Sequence, residues 1–212
     1  MSVKPIFFAL DGKHLDNFSR ELEILKGNIY GVKVGLEMFT SEGPSSVEKL
    51  KKDGWNVFLD LKLHDIPNTV QAATISAGDI GADYLTIHIA SGKEALLAAK
   101  ESKSENLKLL GVSTALTSKA YSPEISQKVY EEFLLAKESK IDGVICPPSE
   151  LVKTKELFEL IVTPGIRLKN DDSHDQKNIT TPEKAIRDGA SYLVMGRSIR
   201  QNINYVVEKL KL

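Results

Sequence analysis

Cysteine is almost absent from the sequence, since Cys146 is its only example. A single thiol cannot form an internal disulfide, and it offers neither a CxxC pair nor a Cys/His cluster for a structural metal. Long apolar runs are also missing, because the longest are strand-length and fall short of the roughly 20 residues that a membrane-spanning helix needs. The first five residues lead into a strand-like segment without the apolar stretch of a signal peptide. We therefore expect a cytoplasmic protein.

The sequence has no excess of either charge sign. Its 212 residues contain 28 Lys and Arg against 29 Asp and Glu, a formal net charge of −1. This balance disfavours a protein that binds nucleic acid through a global basic field. The hydrophobic fraction of 42% is ordinary for a globular protein and excludes a disordered chain. At about 150 residues per domain, we expect residues 1–212 to form a single domain.

Eight short apolar runs recur along the chain and are near-continuous, which is typical of parallel strands covered on both faces. The predicted strands are 6–10, 30–34, 57–61, 84–89, 108–112, 143–146, 160–163 and 192–195. Helical patterns lie between the strands. One predicted helix face carries Leu15, Phe18, Leu22 and Leu25. Another, with Ser198 as its N-cap, carries Ile199, Ile203, Val207 and Leu210. Several helix-to-strand junctions are marked by Gly27, Gly54, Gly81 and Gly189.

This alternation predicts an α/β fold, a TIM (β/α)8 barrel of the smaller size range. A doubly wound open sheet is the alternative, but no GxGxxG follows the first predicted strand. The barrel predicts that functional side chains gather at the C-terminal ends of the strands.

Charged residues do follow three neighbouring strands. Asp11 ends the first strand, Lys33 lies in the second, and Asp60 and Lys62 lie two residues apart on the third, which places them on one face. Asp65 follows in a loop. Pro67, two residues later, is predicted to be the first residue of the next helix. A structural ion-pair layer is one interpretation. Because desolvating such a cluster costs more than apolar packing, we favour a functional role.

The signs of these charges narrow the chemistry. Carboxylates beside Lys62 favour its ammonium form, which does not suit a Schiff-base nucleophile and does suit a proton donor. Two ammonium groups among the carboxylates would also compete with a divalent cation. We therefore expect a site without a metal or cofactor.

A second cluster follows the last two strands, where residues 163–167 read TPGIR and residues 195–198 read MGRS. Glycine lets backbone N–H groups approach an anion, and barrels commonly hold phosphate at these two loops. Surface turns with ordinary arginines are the alternative. Gln176, in the polar segment 168–181, is a candidate to fold over a phosphate.

Three other residues are given structural interpretations. His88 is interpreted as a rim residue, and His64 is interpreted as a residue that orients the charged loop. Cys146 is interpreted as a core residue.

Several of these segments together resemble the orotidine 5′-phosphate decarboxylase family. They are the decapeptide DLKLHDIPNT at 60–69, ALD at 9–11, KVG at 33–35, LTS at 116–118, TPGIR at 163–167, DQ at 175–176 and MGR at 195–197. The motifs occur in family order and span most of the chain.

The resemblance implies a role for each matching residue. Lys62 resembles the catalytic lysine that protonates C6 of the pyrimidine. Asp60 resembles the aspartate that lies beside the substrate carboxylate, and Lys33 resembles the lysine that orients this aspartate. Asp11 resembles a ribose-binding aspartate, and Thr117 a residue that contacts the pyrimidine. The phosphate-binding residues would be Arg167, Gln176, Gly196 and Arg197. Asp65 and Thr69 would reach the partner's site across a dimer interface, which implies an obligate homodimer.

Two other functions remain possible at this point. Magnesium-dependent sugar-phosphate enzymes, such as a 3-keto-gulonate-phosphate decarboxylase or a hexulose-phosphate synthase, share the Asp-x-Lys-x-x-Asp motif but carry glutamate where this chain has Lys33. A catalytically silent phosphate-binding protein could use the same scaffold, although it would not need the charged cluster.

Overall fold

The computed structural model describes residues 3–117, 122–168 and 180–212. In this part of the chain, eight parallel strands pair in sequence order and the last closes onto the first, which confirms the predicted TIM barrel. The strands are β1 (Lys4–Leu10), β2 (Ile29–Gly35), β3 (Asn56–Leu63), β4 (Tyr84–His88), β5 (Lys108–Val112), β6 (Gly143–Ile145), β7 (Ile161–Thr163) and β8 (Tyr192–Met195).

The predicted strands are all present, and the largest difference in their bounds is at β3. This strand continues to Leu63 through an irregular stretch, in which residues 59–63 lie opposite residues 85–87 of β4. Between these two paired positions β3 advances by four residues and β4 by only two, so β3 carries a bulge. Bulges redirect side chains next to active sites, and this one contains both Asp60 and Lys62.

Helices surround the barrel. They are α1 (Ser19–Leu25), α2 (Leu36–Glu42), α3 (Pro44–Lys52), α4 (Pro67–Asp79), α5 (Lys93–Ser102), α6 (Pro123–Glu138), α7 (Leu151–Thr154), α8 (Pro182–Asp188), α9 (Arg197–Gln201) and α10 (Ile203–Glu208). Pro67 is the first residue of α4, as predicted. The four predicted junction glycines all adopt positive φ, which confirms their role in ending helices. No helix in the described ranges is long and apolar enough to cross a membrane.

The prediction for the C-terminal helix is wrong in two respects. Asn202 separates α9 from α10, and its side-chain Nδ2 donates to the carbonyl oxygen of Ser198, a local bond that competes with helix continuation. Gly196, not Ser198, precedes the first helical residue, because only Gly196 separates the end of β8 at Met195 from the start of α9 at Arg197. Within α10, Val206 is therefore fully buried, whereas Val207, which was predicted on the buried face, is only partly buried.

The barrel interior is filled by aromatic rings in its N-terminal half. Phe7 contacts Tyr30, Phe58, Tyr84 and Tyr192 with ring centroids 5.2–5.4 Å apart. The hydroxyls of Tyr30 and Tyr84 are hydrogen-bonded at 2.8 Å, and burial raises the pKa of Tyr30 to about 12. This aromatic floor closes the lower half of the barrel, so the polar inward residues lie at the C-terminal mouth.

Candidate active site

A chain of alternating charges crosses the mouth of the barrel from β1 to β3. Lys33 Nζ lies 3.4 Å from Asp11 Oδ1 and 3.5 Å from Asp60 Oδ2. Lys62 Nζ lies 2.8 Å from Asp60 Oδ1. The structure thus brings together the four residues that the sequence places at three strand ends. We call Asp11, Lys33, Asp60 and Lys62 the charged cluster.

The four side chains of the charged cluster differ in exposure. The side chains of Lys33 and Asp60 are 11% and 13% exposed, that of Lys62 is 29% exposed, and that of Asp11 is 65% exposed. Burial alone would raise the pKa of Asp60, but the ammonium groups of Lys33 and Lys62 and two hydrogen bonds outweigh it and lower that pKa. Asp60 is therefore a carboxylate at neutral pH, paired on both of its oxygens.

Thr86 is a site residue that the sequence analysis missed. It is fully buried on β4, and its hydroxyl donates to Asp60 Oδ1 at 3.0 Å while accepting from the backbone N–H of Lys62 at 2.9 Å. Lys62 itself has φ of 51°, in the left-handed region that non-glycine residues seldom adopt. Inward alternation on β4 was the available signal, because Tyr84, Thr86 and His88 share one face of that strand.

Two histidines face each other beside Lys62. The rings of His64 and His88 have centroids 5.3 Å apart, and Nδ1 of His88 is buried without a hydrogen-bond partner in the described part of the chain. Burial, followed by the proximity of His64 and Lys62, lowers the pKa of His88. His88 is therefore neutral at neutral pH and adds no third positive charge beside Lys62.

The loop between β3 and α4 points into solvent. Asp65 is exposed and accepts a hydrogen bond at 2.7 Å from the backbone N–H of Ile66, and Thr69 is exposed in the first turn of α4. Within residues 3–117, 122–168 and 180–212, no ion pair connects Asp65 to the charged cluster. These two candidate residues do not join the cluster of their own chain.

The loops after β7 and β8 place glycine and arginine at the same rim. Gly165 has φ of 77°, and the neighbouring Arg167 is half-buried, with its guanidinium donating to the carbonyl oxygen of Ile166. Arg197 is exposed at the start of α9. A Cβ at Gly196 would lie 3.1 Å from Asp11 Oδ2, so this loop passes directly beside the charged cluster.

Two predicted contacts lie outside what the structure describes. Gln176 belongs to residues 169–179, and the side chain of Thr117, at the end of the turn after β5, is likewise outside the described part. Among the described residues, no group of three or more His, Cys, Asp or Glu side chains could hold a metal ion.

Comparisons with known proteins agree on one family. The model of the family described as "Orotidine 5'-phosphate decarboxylase / HUMPS family" matches residues 4–210. An orotidine 5′-phosphate decarboxylase of Fusobacterium nucleatum is 40% identical over 95% of this chain and 91% of its own length. One of Halalkalibacterium halodurans is 40% identical over 93% of this chain and 92% of its own. The crystal structure of that enzyme from Lactobacillus acidophilus superposes with a TM-score of 0.78 at 32% identity, over 93% of this chain and 92% of the other.

Proposed function

The chain belongs to the orotidine 5′-phosphate decarboxylase / HUMPS family and is a carboxy-lyase. From this premise we propose that it converts orotidine 5′-monophosphate to uridine 5′-monophosphate in pyrimidine biosynthesis, with no metal or cofactor and with Lys62 as the proton donor. The observation that supports this most strongly is the charged cluster, in which Asp60 contacts Lys33 with one oxygen and Lys62 with the other.

The proposed step needs a cation at the carbon that loses carbon dioxide. The bond from C6 to the carboxylate carbon breaks, carbon dioxide leaves, and the electron pair stays on C6. The ammonium of Lys62 stabilises that negative charge and then donates a proton to C6, and the resulting amine recovers a proton from water. Asp60 lies beside the carboxylate that leaves, and Lys33 holds Asp60 in place.

Remote parts of the nucleotide are proposed to bind around the same mouth. Asp11 contacts the ribose, and Thr117 contacts the pyrimidine. The phosphate is bound by Gly196, Arg197, Arg167 and Gln176. Support for this placement comes from the Gly196 backbone, which passes close to Asp11, and from two arginines in loops after neighbouring strands. Arginine donors suit phosphate oxygens, and a bound phosphate can supply binding energy to the transition state.

We also propose that the protein acts as a homodimer in which Asp65 and Thr69 reach the partner's site. Both residues are exposed in this chain. Two large apolar residues follow β2 and β3 at the same rim, with Leu36 at 55% and Ile66 at 66% exposure. Covering apolar side chains this exposed with a second subunit would stabilise the dimer.

We also propose that residues 1–212 form a single domain and that the protein is cytoplasmic.

Magnesium-dependent chemistry on a sugar phosphate is the alternative within this family. The position of Lys33 argues against it, because an ammonium group within 3.5 Å of two carboxylates already supplies the positive charge between them. A divalent cation at the same place would have to overcome repulsion from two lysines.

The test is to offer the purified protein both kinds of substrate in separate reactions. We expect stoichiometric uridine 5′-monophosphate and carbon dioxide from orotidine 5′-monophosphate, and no turnover of 3-keto-gulonate phosphate. A Lys62→Ala preparation purified in the same way measures contaminating host activity. Turnover of the sugar phosphate alone would overturn the proposed function.

A further inference from the structure

We infer that Thr86 is a positioning residue, whose hydroxyl holds the ammonium of Lys62 in the geometry that proton donation requires. This inference rests on the proposed function. It begins from the bulge in β3, where residues 59–63 lie opposite only residues 85–87 of β4. In such a bulge the ladder of backbone hydrogen bonds is interrupted, so an N–H group needs another partner.

The hydroxyl of Thr86 supplies that partner. The backbone N–H of Lys62 donates to Thr86 Oγ1 at 2.9 Å, and this hydroxyl donates to Asp60 Oδ1 at 3.0 Å. The same Oδ1 accepts from Lys62 Nζ at 2.8 Å. These three bonds form a closed ring, which starts at the backbone of Lys62 and returns to its side chain.

The ring constrains both the backbone N–H and the side-chain ammonium of Lys62. Lys62 has φ of 51°, a strained conformation that persists only where surrounding contacts hold it. Thr86 is fully buried, so water cannot replace its hydroxyl without a rearrangement. Losing the hydroxyl would leave the Lys62 N–H unsatisfied and remove one donor from Asp60, and both changes would let the ammonium move away from C6.

The first experiment compares Thr86→Val, which keeps the shape of the side chain, with the wild type. Because a hydrogen bond to a charged group is at stake, we expect kcat to fall by about 10- to 100-fold. The dissociation constant of uridine 5′-monophosphate, measured by calorimetry, should change by less than about threefold, since the phosphate and ribose contacts are untouched.

Thr86→Ser and Thr86→Cys form a matched pair that differ only in oxygen against sulfur. The serine variant should recover most of the lost kcat, whereas the cysteine variant should resemble valine. This pair keeps the test decisive if Thr86→Val fails to fold. Thr74→Val is the control for a lost buried hydroxyl, because Thr74 is also fully buried and donates within α4 to the carbonyl of Val70.

The outcomes separate this inference from the proposed function. If wild type turns over orotidine 5′-monophosphate but the valine and cysteine variants keep kcat within about threefold, Thr86 has no positioning role. A serine variant as impaired as valine would show a packing effect and would also overturn the inference. Wild type without any turnover of the nucleotide would instead refute the proposed function.

Discussion

At the scale of single residues, Asp60 organises the site because its two oxygens contact two different ammonium groups. Removing either lysine would leave a mostly buried carboxylate with only one charged partner, and such a loss is costly in a low-dielectric interior. The two lysines nevertheless have different roles in the proposed mechanism. Lys33 is the more buried and is shared with Asp11, whereas Lys62 is the more exposed and reaches toward the mouth.

Lys62→Ala should therefore abolish turnover while leaving nucleotide binding measurable. We expect kcat to fall by about 100- to 10,000-fold, which is the usual contribution of a positioned general acid. Steady-state kinetics with orotidine 5′-monophosphate and calorimetry with uridine 5′-monophosphate make the measurement. Lys93→Ala is the control, since it removes a lysine from an exposed ion pair with Glu138 on the outer helices. Near-normal kcat in Lys62→Ala would refute the role of Lys62 as the proton donor.

His88 predicts an acid-sensitive contribution to stability. Its pKa in the folded chain lies below the ordinary 6.5, through burial, His64 and Lys62, against an opposing effect of Glu132. Between those two values the unfolded chain binds more protons, so the free energy of unfolding falls as the pH drops through 6.5. Urea denaturation at about pH 7 and about pH 5.5 should show a smaller decrease for His88→Gln than for wild type. Equal decreases would show that His88 does not titrate as its surroundings require.

At the scale of secondary-structure elements, the sequence predicts the order of the barrel well and its irregularities poorly. Continuous apolar runs are a local property, so all eight strands were predictable. The bulge in β3 depends on how β3 pairs with β4, which no local pattern shows. Alternation along β4 places Thr86 on the inward face, but its contact with the Lys62 backbone depends on this bulge. The break at Asn202 was missed because the apolar spacing of Ile199 and Ile203 continues across it.

The charged cluster was predictable because its members end neighbouring strands, and parallel strands in a barrel bring their C-terminal ends together. Exposure of Asp65 was not predictable in the same way, since the direction of a loop depends on packing around it. Alternation along β3 predicts that Asp60 and Lys62 lie on one face, and the ion pair between them confirms this. The positive φ of Lys62 was not anticipated, because simple alternation assumes an undistorted strand.

The close approach of β6 to the residue before β7 leaves no space for a side chain at Gly143. A Cβ there would collide with the carbonyl oxygen of Leu160 and lie 2.6 Å from its Cγ. Gly143→Ala should lower the free energy of unfolding by about 1–3 kcal/mol, measured by urea denaturation. Gly78→Ala in α4 is the matched control, because the atom nearest its Cβ would be Ser104 Oγ at 2.9 Å, a side-chain atom that can move, and alanine favours the helix. A Gly143→Ala protein as stable as Gly78→Ala would contradict this packing between β6 and Leu160.

At the scale of the whole molecule, the aromatic floor and the charged cluster divide the barrel into two parts. Phe7 and its four aromatic neighbours close the N-terminal half, and the cluster lies above them at the mouth. A formal net charge of −1 does not favour an anionic nucleotide. In the proposed function, attraction would therefore come from local cations, namely the lysines of the charged cluster and the arginines after β7 and β8.

Subunit mixing tests whether each site needs two chains. Lys62→Ala and Asp65→Ala proteins should each be inactive as homodimers. In a mixed dimer, one site combines an intact Lys62 with an intact Asp65 from the other chain. Random exchange should therefore restore about one quarter of wild-type activity. No recovery, with exchange verified by mass spectrometry, would mean that Asp65 serves the site of its own chain.

The most direct measurement of the central claim is turnover of orotidine 5′-monophosphate by protein dialysed against excess EDTA. The positive charge needed at C6 is assigned to Lys62, so the chelated protein should keep full kcat, and added magnesium should change it by less than about twofold. Loss of turnover in EDTA that magnesium restores would contradict the account, because the required cation would then be a metal ion.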